Sequence, residues 1–157
     1  MKHPVVSALV CLLFASGFVF AQVAPIGGYY PKGGPDENVV DVSLIQLIAN
    51  PQLYEDKRVR ITGFVDLQYE GDAIYLHQED FNHGLTKNGL WINLPSNITQ
   101  QQIRAINDHY VICTGRFVAK NHGHMGLFSG GMTDVTRLEL WGPNLGPPPP
   151  PPQPRKK

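Results

Sequence analysis

RVRITGFVDL, residues 58–67, and YVICTGRFVAK, residues 110–120, carry one pattern twice: apolar residues at every second position with a single glycine in the middle. Val59, Ile61, Gly63 and Val65 share one face of an extended chain, and Val111, Cys113, Gly115 and Phe117 share the matching face of the other. A glycine inside a strand loses conformational entropy and packs nothing. Two at matched places therefore predict two strands that bend sharply, as the strands of a small closed barrel must.

Upstream of the first strand, Ser43-Leu44-Ile45-Gln46 has capping-box spacing, and Leu44, Ile45, Leu47 and Ile48 form an apolar stripe that Asn50-Pro51 ends. This predicts a short amphipathic helix packed across the barrel. Downstream, QYEGD (68–72) contains a turn glycine, AIYLH (73–77) reads as a second strand, and residues 78–88 as a polar connection. GLWINL (89–94) reads as a third strand with Leu90, Ile92 and Leu94 inward and Trp91 and Asn93 outward, stopped by Pro95. Thr99 and Gln102 repeat the capping-box spacing before Ile103 and Ile106, predicting a second short helix; Asn97-Ile98-Thr99 matches the glycosylation pattern and is equally a helix cap. The last strand falls within MTDVTRLELW (132–141), with a bulge because Val135 is out of phase with Leu138 and Leu140. Three strands, a helix and two strands is the order of the OB fold. The expected class is all-β with short helices, a five-stranded OB-like barrel preceded by an amphipathic helix.

The barrel domain is expected over 39–141, between two segments of different composition. At the N-terminus Lys2 precedes an apolar run from Val5 to Phe20, and Val19-Phe20-Ala21 fits a small-residue cleavage site before Gln22, so 1–21 reads as a secretory leader. The run is short for a membrane span, which needs roughly 20 apolar residues. Cys11 follows Val10 in the middle of that run, which does not suit a lipoprotein site. Residues 22–38 (QVAPIGGYYPKGGPDEN) are rich in Gly and Pro without periodicity and read as a flexible arm. Residues 142–157 form a basic tail in which Pro147–Pro152 is an uninterrupted run, expected as polyproline II, before Arg155-Lys156-Lys157. Removal of the leader leaves Cys113 as the single cysteine, on the inward face of its strand, where it is expected to be hidden. The 157-residue chain balances 13 Lys and Arg against 13 Asp and Glu. That balance argues against generic nucleic-acid binding, which rests on a basic surface.

The stretches SLIQLIANPQLYEDKRVRITGFV, GLWINLP and YVICTGRFVAKNHGHMGLFSGGMTDVTRLELW resemble a family of uncharacterised exported bacterial proteins with an OB-like fold. The resemblance covers nearly the whole domain and neither tail, and it implies a barrel used outside the cytoplasm, with no activity to carry over. A fold by itself does not assign a function. On an OB barrel the generic binding surface is the outer face of strands two and three, walled by the loops joining strands one to two and four to five. Here that surface presents Tyr75, His77, Trp91 and Asn93, with Tyr69 and Glu70 from one wall and Lys120, Asn121, His122, His124, Met125 and Phe128 from the other. An aromatic pair rimmed by His, Asn and Lys suits stacking on a planar or sugar-like group. The alternative is that the helix or the N-terminal arm covers this face, since Tyr and Trp are also ordinary strand formers.

His122-Gly123-His124, with His77 and His83 upstream, raises a metal reading, because His-x-His in a loop can reach one ion if a third ligand converges. No HExxH motif or cysteine cluster accompanies it. Glu70, Asp72, Glu79 and Asp80 have the neighbours of turns and solvated loops, and the serines lie outside any nucleophile elbow. The chain is therefore expected to be an exported non-enzymatic binding module for a small or oligomeric ligand, without a cofactor. A protein-interaction module, such as an inhibitor or envelope component, is the second reading, and a metal-dependent hydrolase the third.

Overall fold

The computed structural model describes residues 28–29, 38–68 and 70–142. The expected leader, most of the arm, Tyr69 and the tail beyond Gly142 lie outside the described residues. In chain order the elements are β1 (Gly28–Tyr29), β2 (Val40–Asp41), α1 (Leu44–Ala49), α2 (Pro51–Tyr54), β3 (Arg58–Asp66), β4 (Ala73–Tyr75), α3 (Gln78–Asn82), β5 (Gly89–Ile92), α4 (Gln100–Ile106), β6 (His109–Val118) and β7 (Gly131–Leu140).

β3, β4, β5, β7 and β6 pair in that cyclic order, and β6 returns to β3, so the five strands close into a barrel. Every pairing around the ring is antiparallel except β5 with β7, which is parallel. This closure of the third strand on the fifth is the OB-like barrel expected from the sequence. The two glycine-centred segments lie side by side, from Arg58 opposite Arg116 to Val65 opposite His109. Between the pairs Thr114–Arg137 and Arg116–Thr133, two steps along β6 face four along β7. The bulge predicted at Val135 is there, with Asp134 at φ 46°.

The inward residues of β3 and β6 are buried, with Ile74, Leu90, Ile92 and Leu138 from the other strands. Leu44 and Leu47 of α1 and Ile106 of α4 join the same core. Both helices begin at the expected capping boxes: Ser43 with Gln46, and Thr99 with Gln102. The two strand glycines are there for room. A Cβ on Gly63 would stand 2.5 Å from the Tyr75 carbonyl oxygen and 2.9 Å from Leu44 Cδ1, and one on Gly115 would stand 2.8 Å from the Thr133 carbonyl oxygen. The bends bring a backbone carbonyl where any side chain would begin.

Several elements differ from expectation. Pro51 ends α1 but occupies the first turn of α2, where its missing N–H costs nothing. β4 stops at Tyr75 rather than His77, because the His77 N–H is taken by the Asp80 carboxylate (2.9 Å), which starts α3 inside the expected polar connection. β5 ends at Ile92 instead of Leu94. Two short strands were not foreseen: β2 runs parallel to β3, and β1, within the expected arm, pairs with β7 at Leu138 and Glu139.

Candidate functional site

The outer face of β4 and β5, expected to be the binding surface, is occupied by the protein's own side chains. Tyr75 is 6% exposed and Phe128 4%. These two, with Ala73 and the half-buried Phe81 and Trp91, form a second small core outside the barrel. Ring centroids are 6.0 Å apart for Tyr75 and Phe128, 5.7 Å for Trp91 and Phe128, and 5.7 Å for Tyr75 and Phe81. The β6–β7 loop lies down on this face: Gly123, at φ 64°, sits so close to the indole that a Cβ would be 2.5 Å from Trp91. His122 Nδ1 is 2.9 Å from the Phe128 carbonyl oxygen, which holds the loop in that shape. The expectation that Tyr75 and Phe128 stand open to solvent is therefore corrected. They are core, and among the described residues the covering is done by α3 and the loop, not by the first helix.

What remains around the plug is polar. His77, Asn93, Lys120, His122 and His124 are exposed, and Tyr69 lies outside the described residues. No group of three His, Cys, Asp or Glu among the described residues is placed to hold a metal ion, and His122 and His124 gain no third ligand of these kinds. At the loop tips Leu85 and Leu127 are about half exposed and Met125 is 81% exposed. Thr86 Oγ1 donates to the Leu127 carbonyl (3.1 Å) and Lys87 Nζ to that of Gly126 (3.3 Å), so the two loops are stitched together.

A different surface is open in part: Thr62, Tyr110 and Trp141 are exposed, whereas Phe64 and Thr114 are buried. The outward residues of β3 are Arg58, Arg60, Thr62 and Phe64, and those of β6 are Tyr110, Ile112, Thr114 and Arg116. Antiparallel pairing sets Arg58 beside Arg116, Arg60 beside Thr114, Thr62 beside Ile112 and Phe64 beside Tyr110. β7 extends two of these rows, with Arg137 opposite Thr114 and Glu139 opposite Ile112. The face thus grades from cationic at one end to apolar and aromatic at the other. Over its apolar part runs a groove of about 480 Å³ lined by Val42, Leu44, Leu76, Ile112 and Trp141, with Arg60 and Asp41 on its polar side. Ile112 and Trp141 also line a neighbouring hollow of about 380 Å³ beside Glu139 and Leu140. Trp141 is 57% exposed, and its backbone N–H donates to the Tyr110 carbonyl, 2.7 Å away.

The charged groups of this face are paired mostly with exposed carboxylates. Arg60 Nη1 lies 3.2 Å from Asp41, and Arg116 reaches Asp56 and Asp134. Arg137 pairs with Glu139 on its own strand, and Arg58 Nη2 donates to Thr136 Oγ1. Among the described residues three buried side-chain polar atoms have no hydrogen-bond partner: Arg60 Nε, Thr114 Oγ1 and Arg137 Nε. All three belong to one row across three neighbouring strands.

Two further features have chemistry without a built site. Near the β3–β4 turn, burial pushes the Asp72 carboxyl up to about 6, with the Asp66 charge adding to it, and burial raises Asp66 likewise. Gln68 Nε2 donates to Asp66 (2.6 Å). Cys113 is fully buried, and desolvation pushes its thiol up to about 12, so it is no nucleophile. Among the described residues no helix is long and apolar enough to cross a membrane. Arg60, Ile112, Thr114 and Trp141 were not candidates from sequence, although the outward letters of the two quoted segments already contain the gradient. Comparison with models of known families, with curated proteins and with solved structures gives no match to this chain.

Proposed function

We propose that the chain is an exported, non-catalytic binding module on an OB-like barrel, and that its ligand lies in the groove between α1 and Trp141. The observation that carries this reading is an indole held 57% exposed above an apolar floor, while the aromatics of the β4–β5 face are consumed by their own packing. A groove with a few polar groups on one side and apolar walls is the usual form of a small-ligand site. Export rests on the leader pattern of Lys2, the apolar run to Phe20 and Val19-Phe20-Ala21, and the resemblance to exported proteins points the same way. N-terminal sequencing of protein from the native host should begin at Gln22; a retained Met1 removes export from the proposal.

Native mass spectrometry of protein recovered from its compartment tests the groove. Wild type should retain a small ligand, and Trp141→Ala should lose at least nine-tenths of it without a change in the unfolding midpoint. Full retention by Trp141→Ala would place the ligand elsewhere. A protein-interaction module is favoured by one other observation, the exposed Leu85, Met125 and Leu127 on the two stitched loops. Replacement of all three by Ser should then abolish capture of an envelope protein and leave ligand retention unchanged.

A further inference from the structure

We infer that the groove takes an amphipathic oxyanion, a small molecule whose apolar or planar body lies on Ile112 and Trp141 and whose sulfonate, phosphate or carboxylate is held by the Arg60–Thr114–Arg137 row. This deepens the groove reading and rests on it. Thr62 and Ile112, which line the groove, belong to the row next to Arg60–Thr114–Arg137 in the strand register, and Glu139 of that row lines the neighbouring hollow, so one ligand can span both rows. Arg60 lines the groove itself.

Buried donors are almost always paired in folded proteins, and those left over call for a water, an ion or a ligand. Here three leftovers fall in one row. Both Nε atoms are donors only, and the Thr114 hydroxyl, on a residue with no exposed surface, can donate as well. Two donor-only guanidinium nitrogens flanking a hydroxyl in one row suit an oxygen-rich acceptor, and two guanidinium groups suit one that is charged. Charge bookkeeping agrees. Asp41 is 74% exposed, so its pair with Arg60 is weak and exchangeable, whereas Glu139 is largely buried beside Arg137. With Asp41 turned out to solvent, two guanidinium groups face one carboxylate, and a single oxyanion neutralises the row. Both arginine side chains keep about a third of their surface exposed, so the row is within reach of solvent.

The test uses two fluorescent probes of similar body, anilinonaphthalene sulfonate and uncharged phenylnaphthylamine, on the full mature chain. The sulfonate should bind at least tenfold more tightly than the uncharged probe. Arg60→Met, which keeps the aliphatic stem, and Thr114→Val, which keeps the shape, should each weaken the sulfonate at least fivefold and leave the uncharged probe within twofold. Inorganic sulfate should displace the first probe and not the second. Trp141→Ala should weaken both at least fivefold. Equal affinity for the two probes, or sulfonate binding within twofold of wild type in Arg60→Met, overturns the oxyanion assignment while the groove stands. Binding of either probe that survives Trp141→Ala unchanged overturns the groove and the inference with it.

Discussion

Gly63 and Thr114 are the residues at which single atoms decide the most. Gly63 faces a carbonyl across the barrel wall at a distance no Cβ tolerates. Gly63→Val should therefore destabilise by about 3 kcal/mol despite the better strand propensity of valine, because the clash is with backbone that cannot rotate away. Gly115→Val should cost slightly less, about 2 kcal/mol, since its would-be contact is longer at 2.8 Å. Denaturation midpoints for the two variants decide it, and a midpoint at or above wild type at either position removes close approach as the reason for that glycine. Thr114 should behave oppositely. Its hydroxyl is buried without a partner in the unliganded chain, so Thr114→Val, which trades that hydroxyl for a methyl of the same shape, should stabilise by about 1 kcal/mol in urea unfolding. A loss of stability would show that the hydroxyl is satisfied in solution, and would leave the oxyanion row with two donors instead of three. Stability gained together with probe binding lost is the signature of a residue kept for a ligand.

Among the elements, β4, α3 and the β6–β7 loop explain why the site expected on the barrel became core. The period-two pattern correctly placed Tyr75 and Trp91 on the outer face, but the pattern says only which way a side chain points and not what lies above it. The covering depends on Phe81, in a segment that reads as a polar connection, and on Phe128, in a Gly-rich loop, where no periodicity announces packing. α3 was hidden for a related reason: its start is fixed by Asp80 reaching back to His77, and His is an uncommon N-cap. By contrast β3, β6, the bulge in β7 and both capping boxes were legible, because each rests on residues within one element. The packed reading has its own consequence. Phe128→Ala should destabilise by about 3 kcal/mol, the ordinary cost of removing a buried aromatic ring, and Trp91→Ala by less because that ring is only half-buried. Were the loop merely resting on an open binding face, Phe128→Ala would leave the midpoint within about 0.5 kcal/mol of wild type.

At the scale of the whole molecule, closure and charge are unevenly distributed around the barrel. β3–β6 and β6–β7 pair over most of their lengths, but the closing pair β5–β7 is registered at only two positions, Trp91 with Gly131 and Ile92 with Met132. The aromatic plug covers the β4–β5 face beside that short seam, and the groove lies instead against β3 and β6. Charge is balanced overall, 13 against 13, so repulsion across the molecule contributes little near neutral pH and local carboxylates govern the response to acid. Asp72 is the clearest of these. Its folded value, about 6, lies above the ordinary 3.8 because burial and the Asp66 charge both disfavour the ionised form. A carboxyl raised on folding binds more protons in the folded state, so its contribution is most favourable below about pH 4 and is lost as pH rises through 6. Discounted for its half-exposed setting, the ionised group costs the fold about 1 kcal/mol at pH 7. The urea midpoint should therefore rise on acidification from pH 7 to about pH 4.5, and Asp72→Asn should raise the midpoint at pH 7 while flattening that rise. A midpoint that falls steadily with acid in wild type, or an Asp72→Asn curve parallel to it, would show that Asp72 is ionised and solvated at the end of the barrel, and that the turn holding it is more open than the packing of β3 against β4 implies.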